Sequence, residues 1–225
     1  MRLQTFIKNN ANKTKSEVIK LYHEGRIKVN GCILPLPTEL NEYAIVTIDD
    51  EVIEAKELVY YVYNKPIGIE CTNDLNKKNN IRNHLNLPFR IYTVGRLDKA
   101  SHGLIFLTNS SEFCDYVIGK DNHISKEYVV KVEKKIDNNF IDNITKRVVI
   151  RDKLTKECSA YLIDDYSFGI ILIEGMYHQI RKMVIMNGNR VVDLFRIRIG
   201  NININDLNLK EDELKSLDIN NFNDI

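Results

Sequence analysis

The sequence predicts an α+β fold: a small N-terminal unit (residues 1–56), then a larger unit (57–225) built on a largely antiparallel mixed sheet flanked by helices. Three observations carry this. Helical and strand-like periodicities intermingle without regular βαβ alternation. Two short helical patterns and a few strand candidates fill the first 55 residues. At 225 residues the chain is long enough for one good core plus a small appended module.

Taken in order, residues 3–10 place Leu3, Phe6 and Ile7 at helical spacing. Thr14-Lys15-Ser16-Glu17 is a capping box that opens a second helix with Val18, Ile19, Leu21 and Tyr22 as apolar contacts, and Gly25 is its C-terminal cap. Arg26-Ile27-Lys28-Val29 alternates as a strand, Asn30-Gly31 signals a hairpin turn, and Ala44–Ile48 is a further strand. Residues 52–58 connect to an aromatic strand, Val59–Tyr63, which stops at Asn64-Lys65-Pro66-Ile67-Gly68, where proline and glycine force a turn. The polar stretch from Asn73 to Asn86 reads as loop with one short helix. An apolar run, Leu104–Leu107, follows the segment Gly95–Gly103 as a buried strand. Strands are expected at 128–132, 147–150, 158–163, 168–173 and 191–199, with a helix between the first two. Another helix is expected at Tyr177–Asn187 with Ile180, Met183 and Val184 on its apolar side, and a last one in the acidic stretch 210–217.

Composition narrows the class. No stretch approaches the ~18 apolar residues of a membrane span, and the N-terminus lacks a signal-peptide apolar core. Cys32, Cys71, Cys114 and Cys158 are scattered with no Cys-x-x-Cys pair, so reduced thiols and a cytoplasmic protein are expected. The net charge of +1 hides an asymmetry: residues 1–31 carry seven Lys/Arg against two acids, and residues 205–225 carry two against six. Such a basic head is a weak sign of nucleic-acid binding, because most charge clusters are solvated faces.

The segment Gly95-Arg96-Leu97-Asp98-Lys99-Ala100-Ser101-His102-Gly103-Leu104 sets one carboxylate in a turn before a buried strand, a place where catalytic groups are held. Asp98 alone reads as a turn or cap residue, or as a nucleophile if a cation keeps it ionised. Arg181, in Glu174–Met183, is either that cation or a solvated helix arginine. Tyr128 is either a core tyrosine or a ring that stacks on an extruded base.

Four segments in order resemble the bacterial ribosomal-RNA pseudouridine synthases of the small-subunit, RsuA type: Gly25–Gly31, Asn64-Lys65-Pro66-x-Gly68, Gly95–Leu107, and Glu174–Met183 continuing to Arg196-Ile197-Arg198-Ile199-Gly200. The likeness spans nearly the whole chain. It implies an S4-like RNA-binding domain at 1–56, with Arg2, Lys15, Arg26 and Lys28 as RNA contacts, and a catalytic domain at 57–225. It also implies Asp98 as the catalytic residue, Tyr128 against the target base, Arg181 paired with Asp98, and Arg96 facing the RNA. The reaction implied is isomerisation of uridine to pseudouridine with no cofactor and no metal. The partner would be ribosomal RNA or a ribosomal subunit assembly intermediate, and the enzyme a monomer with no membrane association. Tyr177-His178-Gln179 favours 16S rRNA. The alternatives are 23S rRNA or a non-catalytic RNA-binding or ribosome-assembly factor; a glycosidase would need a second acid beside Asp98. Two departures stand out: Ser110-Ser111 replace the family's usual Asp-Gly, and Lys15 replaces an arginine.

Overall fold

The computed structural model describes residues 1–87, 91–119, 122–219 and 225. Helices α1 (Leu3–Asn10) and α2 (Lys15–His23) open the chain. Thr14 and Glu17 form the reciprocal capping box, Glu17 N–H to Thr14 Oγ1 at 3.2 Å and Thr14 N–H to Glu17 Oε2 at 2.6 Å. Such a cap contributes about 1 kcal/mol. Strands β1 (Ile27–Val29), β2 (Val46–Ile48) and β3 (Glu51–Val52) make a separate antiparallel sheet. Asn30 and Gly31 both take positive φ, as the turn after β1 requires. Leu3, Ile7, Val18, Leu21, Ile27, Val29 and Val46 bury into one cluster among themselves.

The remaining chain builds a nine-stranded mixed sheet. Its strands are β4 (Tyr60–Lys65), β5 (Tyr92–Val94), β6 (His102–Thr108), β7 (Lys126–Val132), β10 (Ser159–Asp164), β11 (Ser167–Leu172), β12 (Val191–Ile199), β13 (Ile202–Asn203) and β14 (Leu214–Ser216). The main order is β10-β11-β7-β12-β6-β4-β14, and β8 (Val149–Ile150) and β9 (Lys153–Leu154) form a hairpin of their own. Every pairing is antiparallel except β6 with β12. The apolar run in β6 is a strand covered on both faces. Leu104 and Phe106 join Phe113 and Val117 of α4 (Ser111–Ile118), while Ile105 and Leu107 join Ile69, Ile91 and Ile81 of α3 (Ile81–His84). At the other end of the sheet, Ile180, Met183 and Val184 of α6 (Gln179–Met186) and Ile141 and Ile144 of α5 (Asn138–Ile144) cover β7, β11 and β12.

Three expectations change. Residues 210–217 hold a strand, β14, where a helix was expected: it pairs Leu214 with Tyr63 and Ser216 with Tyr61 along the open edge of β4. An unpaired sheet edge outweighs local helix propensity. The helix expected from Tyr177 starts at Gln179, because His178 sits in the left-handed region at φ 54°. Helix α4 was not anticipated, although Ser110, whose Oγ accepts from Phe113 N–H at 3.2 Å, is a sound N-cap. The Ser110 that departs from the family pattern thus starts a helix. Among the described residues no helix is long and apolar enough to cross a membrane.

The parallel step fixes the centre of the molecule. One edge of β6 is shared: β12 meets its start (Phe195 with His102, Arg196 with Gly103), and β5 meets its end (Val94 with Phe106). The sheet forks there, and the backbones press together. Gly103 has φ 105°, and a Cβ on it would lie 2.3 Å from the carbonyl oxygen of Arg196. Gly103→Ala is therefore expected to cost about 3–5 kcal/mol from backbone strain plus overpacking. That corresponds to a melting temperature lower by roughly 10 °C in a thermal melt.

Candidate active site

The loop between β5 and β6 carries Asp98, and its backbone carbonyls are tied down one after another. Gly95 O accepts from Arg196 Nη2 at 2.7 Å, and Asp98 O from Ser101 N–H at 3.1 Å. Lys99 O accepts from Gly68 N–H at 2.8 Å, and Ala100 O from Arg181 Nη2 at 2.9 Å. Leu97 is buried beneath the loop at 6 % exposure. The carboxylate of Asp98 stays half-exposed on this rigid backbone. A side chain held in this way has little motion left to lose on meeting a ligand.

Two buried cations make the loop possible. Arg196, 1 % exposed, fills the fork of the sheet: its Nε donates to Leu104 O at 2.7 Å, its Nη2 to Gly95 O, and its Nη1 reaches Tyr128 Oη at 3.4 Å. The planar, forked guanidinium suits carbonyls that diverge where β5 and β12 part. Lys65, fully buried, donates to Pro66 O at 2.8 Å and Ile69 O at 2.9 Å, and so shapes the turn that presents Gly68 N–H to Lys99. Burial holds the Lys65 ammonium below its usual range, with Arg196 adding to that and the Asp98 charge opposing it. Neither residue stands out in the sequence as a site residue, although both lie in motifs that do. Lysine and arginine are almost never fully buried without partners, so a lysine inside the strand-ending Asn-Lys-Pro turn was the available signal.

The expected pairing of Arg181 with Asp98 is not what the structure has. Arg181 donates to Ala100 O and to Ser101 Oγ at 3.1 Å, so it grips the same turn through its backbone. The ionisable side chain facing Asp98 is His178, Nε2 to Oδ1 at 3.5 Å, which the left-handed backbone at the start of α6 swings toward the loop. Tyr128 lies on β7 directly across from Arg196 of β12, with the guanidinium 5.9 Å from its ring. Arg196 therefore links the Tyr128 hydroxyl to the Asp98 loop. Arg96 is exposed beside them and has no ion-pair partner among the described residues.

The head is less basic in three dimensions than its first 31 residues suggested. Arg26 pairs with Asp49 at 2.5 Å and with Glu24 at 3.0 Å, Lys28 with Asp50 at 2.6 Å, and Arg2 with Glu39 at 3.2 Å. Residues 1–56 hold eight Lys/Arg and eight Asp/Glu, and the acids of the β2–β3 turn fold back onto the basic strand. Lys15 alone of the four candidate contacts has no ion-pair partner among the described residues. Head and body touch through Tyr92 Oη, which donates to Asn9 Oδ1 at 2.5 Å. Burial pushes the Cys71 thiol up and the Cys114 thiol up to about 12, and no group of three His, Cys, Asp or Glu side chains converges among the described residues.

Residues 59–185 match a family model described as RNA pseudouridylate synthase. The dual-specificity RNA pseudouridine synthase RluF of Escherichia coli (strain K12) is 32% identical over 214 residues, covering 94% of this chain and 74% of that one. The ribosomal small subunit pseudouridine synthase A of Haemophilus influenzae is 29% identical over 223 residues, 96% of each chain. A crystal structure of a pseudouridylate synthase superposes with a TM-score of 0.71 at 27% identity, covering 100% of this chain and 99% of that one.

Proposed function

The chain belongs to the RNA pseudouridylate synthase family, and we propose that it isomerises a uridine of 16S ribosomal RNA with Asp98 as nucleophile. The observation that carries the residue assignment is the half-exposed Asp98 carboxylate on a turn whose successive carbonyls, 98 to 100, are all hydrogen-bonded. The target nucleotide leaves its stack to reach such a site. The carboxylate attacks ribose C1′ or uracil C6, the N1–C1′ bond breaks, the base turns, and a C5–C1′ bond forms. The C5 proton leaves, N1 takes one up, and the carboxylate is released unchanged. In this reading Tyr128 contacts the base, Arg181 and His178 position the Asp98 turn, and Arg96 faces RNA.

Residues 1–56 would act as an S4-like RNA-binding head and 57–225 as the catalytic domain. The separate sheet and separate buried cluster of the first 53 residues support that division. Arg2, Arg26 and Lys28 would exchange carboxylates for phosphates on binding, whereas Lys15 needs no exchange. A monomer acting in the cytoplasm on ribosomal RNA or an assembling subunit completes the reading. The Tyr177-His178-Gln179 spelling and the small-subunit relative support 16S rRNA. The dual-specificity relative favours a second reading, in which the target lies in a different RNA, 23S rRNA first.

Tritium release from 16S and 23S transcripts labelled at uridine C5, with pre-ribosomal particles in parallel, tests this. Release from 16S RNA or its particle is the expected result. Release from 23S alone moves the substrate, and none from any of them leaves an RNA-binding assembly factor.

A further inference from the structure

We propose that Tyr177 and Arg151 form a second nucleotide station, which holds the base and phosphate next to the flipped uridine; this rests on the reading of Asp98 above. Tyr177 is 55 % exposed, yet its ring touches both its chain neighbour and a distant hairpin. It stacks on His178 at 3.9 Å with an interplanar angle of 15°, and His178 Nε2 lies 3.5 Å from Asp98 Oδ1. One imidazole thus separates the phenol from the nucleophile. Arg151 reaches the same ring with its guanidinium carbon 4.3 Å from the centroid, and Lys182 Nζ lies at 5.3 Å.

Arg151 comes from the tip of the β8–β9 hairpin, which is outside the main sheet. Arg151 and Asp152 both take positive φ, 50° and 61°, without a glycine or asparagine to ease the turn. Positive φ at both central residues is what a two-residue hairpin turn requires, as at Asp49-Asp50, and it sets Arg151 at the tip. The hairpin buries Ile150 while Val149 and Leu154 stand exposed, so its tip projects from the body of the sheet. Neither Arg151 nor Lys182 has a carboxylate partner within ion-pair distance among the described residues.

An exposed tyrosine flanked by unpaired cations has the chemistry that receives single-stranded RNA: a π-face for any base and guanidinium donors for its phosphate. The base adjacent to the target would replace Arg151 over the ring, and Arg151 would turn to the phosphate. Binding energy gathered at this station would hold the strand splayed while the target uridine occupies the Asp98 site.

The experiment compares wild type with Tyr177→Leu, Tyr177→Phe, Arg151→Ala and Arg151→Lys on the 16S and 23S transcripts. It reads Kd across a salt titration and, where tritium is released, KM against kcat. Tyr177→Leu is expected to weaken binding about tenfold, with KM raised more than kcat falls, and Tyr177→Phe to restore affinity to within about twofold. Arg151→Ala is expected to reduce the salt slope by about one contact, and Arg151→Lys to keep it. Unchanged affinity in Tyr177→Leu together with an unchanged slope in Arg151→Ala overturns the proposal. So does a loss in kcat alone, which would make the ring merely a support for His178. Should Tyr177→Leu melt early, the Arg151 pair decides. A wild type that binds these RNAs but releases no tritium from them or from pre-ribosomal particles defeats the catalytic reading, and the affinity arm still judges the station.

Discussion

Asp98→Asn is expected to abolish tritium release, a loss of at least about 10⁴-fold, while the melting temperature and the RNA affinity stay close to wild type. The amide is isosteric, and none of the hydrogen bonds that set the turn uses the side chain: they run through the carbonyls of residues 95, 98, 99 and 100. The half-exposed position spares the variant a buried unsatisfied amide. What changes is the anionic oxygen available for bond formation. Retained turnover would remove Asp98 from the covalent role, and lost RNA binding would mean that the carboxylate serves recognition. His178→Gln, made alongside, keeps a donor near Asp98 and separates positioning from the reaction itself.

Arg196→Met is expected to lower stability by about 3–5 kcal/mol and to reduce activity with it, although no atom of Arg196 is assigned to the reaction. The substitution fills similar volume but leaves the carbonyls of Leu104 and Gly95 buried without donors at the fork of the sheet. Arg196→Lys keeps the charge, yet a single ammonium does not match two diverging carbonyls and the Tyr128 hydroxyl. Denaturant unfolding and tritium release on the same preparations check this. A lysine variant as stable and active as wild type would show that charge alone, not the fork-shaped donor, holds the loop. Loss of activity with full stability would instead point to direct contact with RNA.

Local patterns made several elements legible. The capping box at Thr14, the Asn30-Gly31 turn, the uninterrupted apolar run of β6 and the Ile180–Met183–Val184 face of α6 each depend on residues within about seven positions of one another. Asp98 by its local pattern reads as a turn residue, and only the family resemblance singles it out. The strand β14 was not legible, because its cause lies some 150 residues away in the open edge of β4. The paired charges of the head were missed for a like reason: Asp49 and Asp50 meet Arg26 and Lys28 only across the β1–β2 pairing.

The sequence by itself determined the class of fold and the order of most elements. Periodicity, caps and turns are short-range effects written in neighbouring residues. The tertiary structure alone decided that His178, not Arg181, faces Asp98, and that Arg196 supports the loop from within the sheet. It alone placed the Arg151 hairpin over Tyr177. Each of these depends on where the single parallel step between β6 and β12 and the left-handed residue before α6 bring distant segments. Such juxtapositions are set by global packing, which no local pattern encodes.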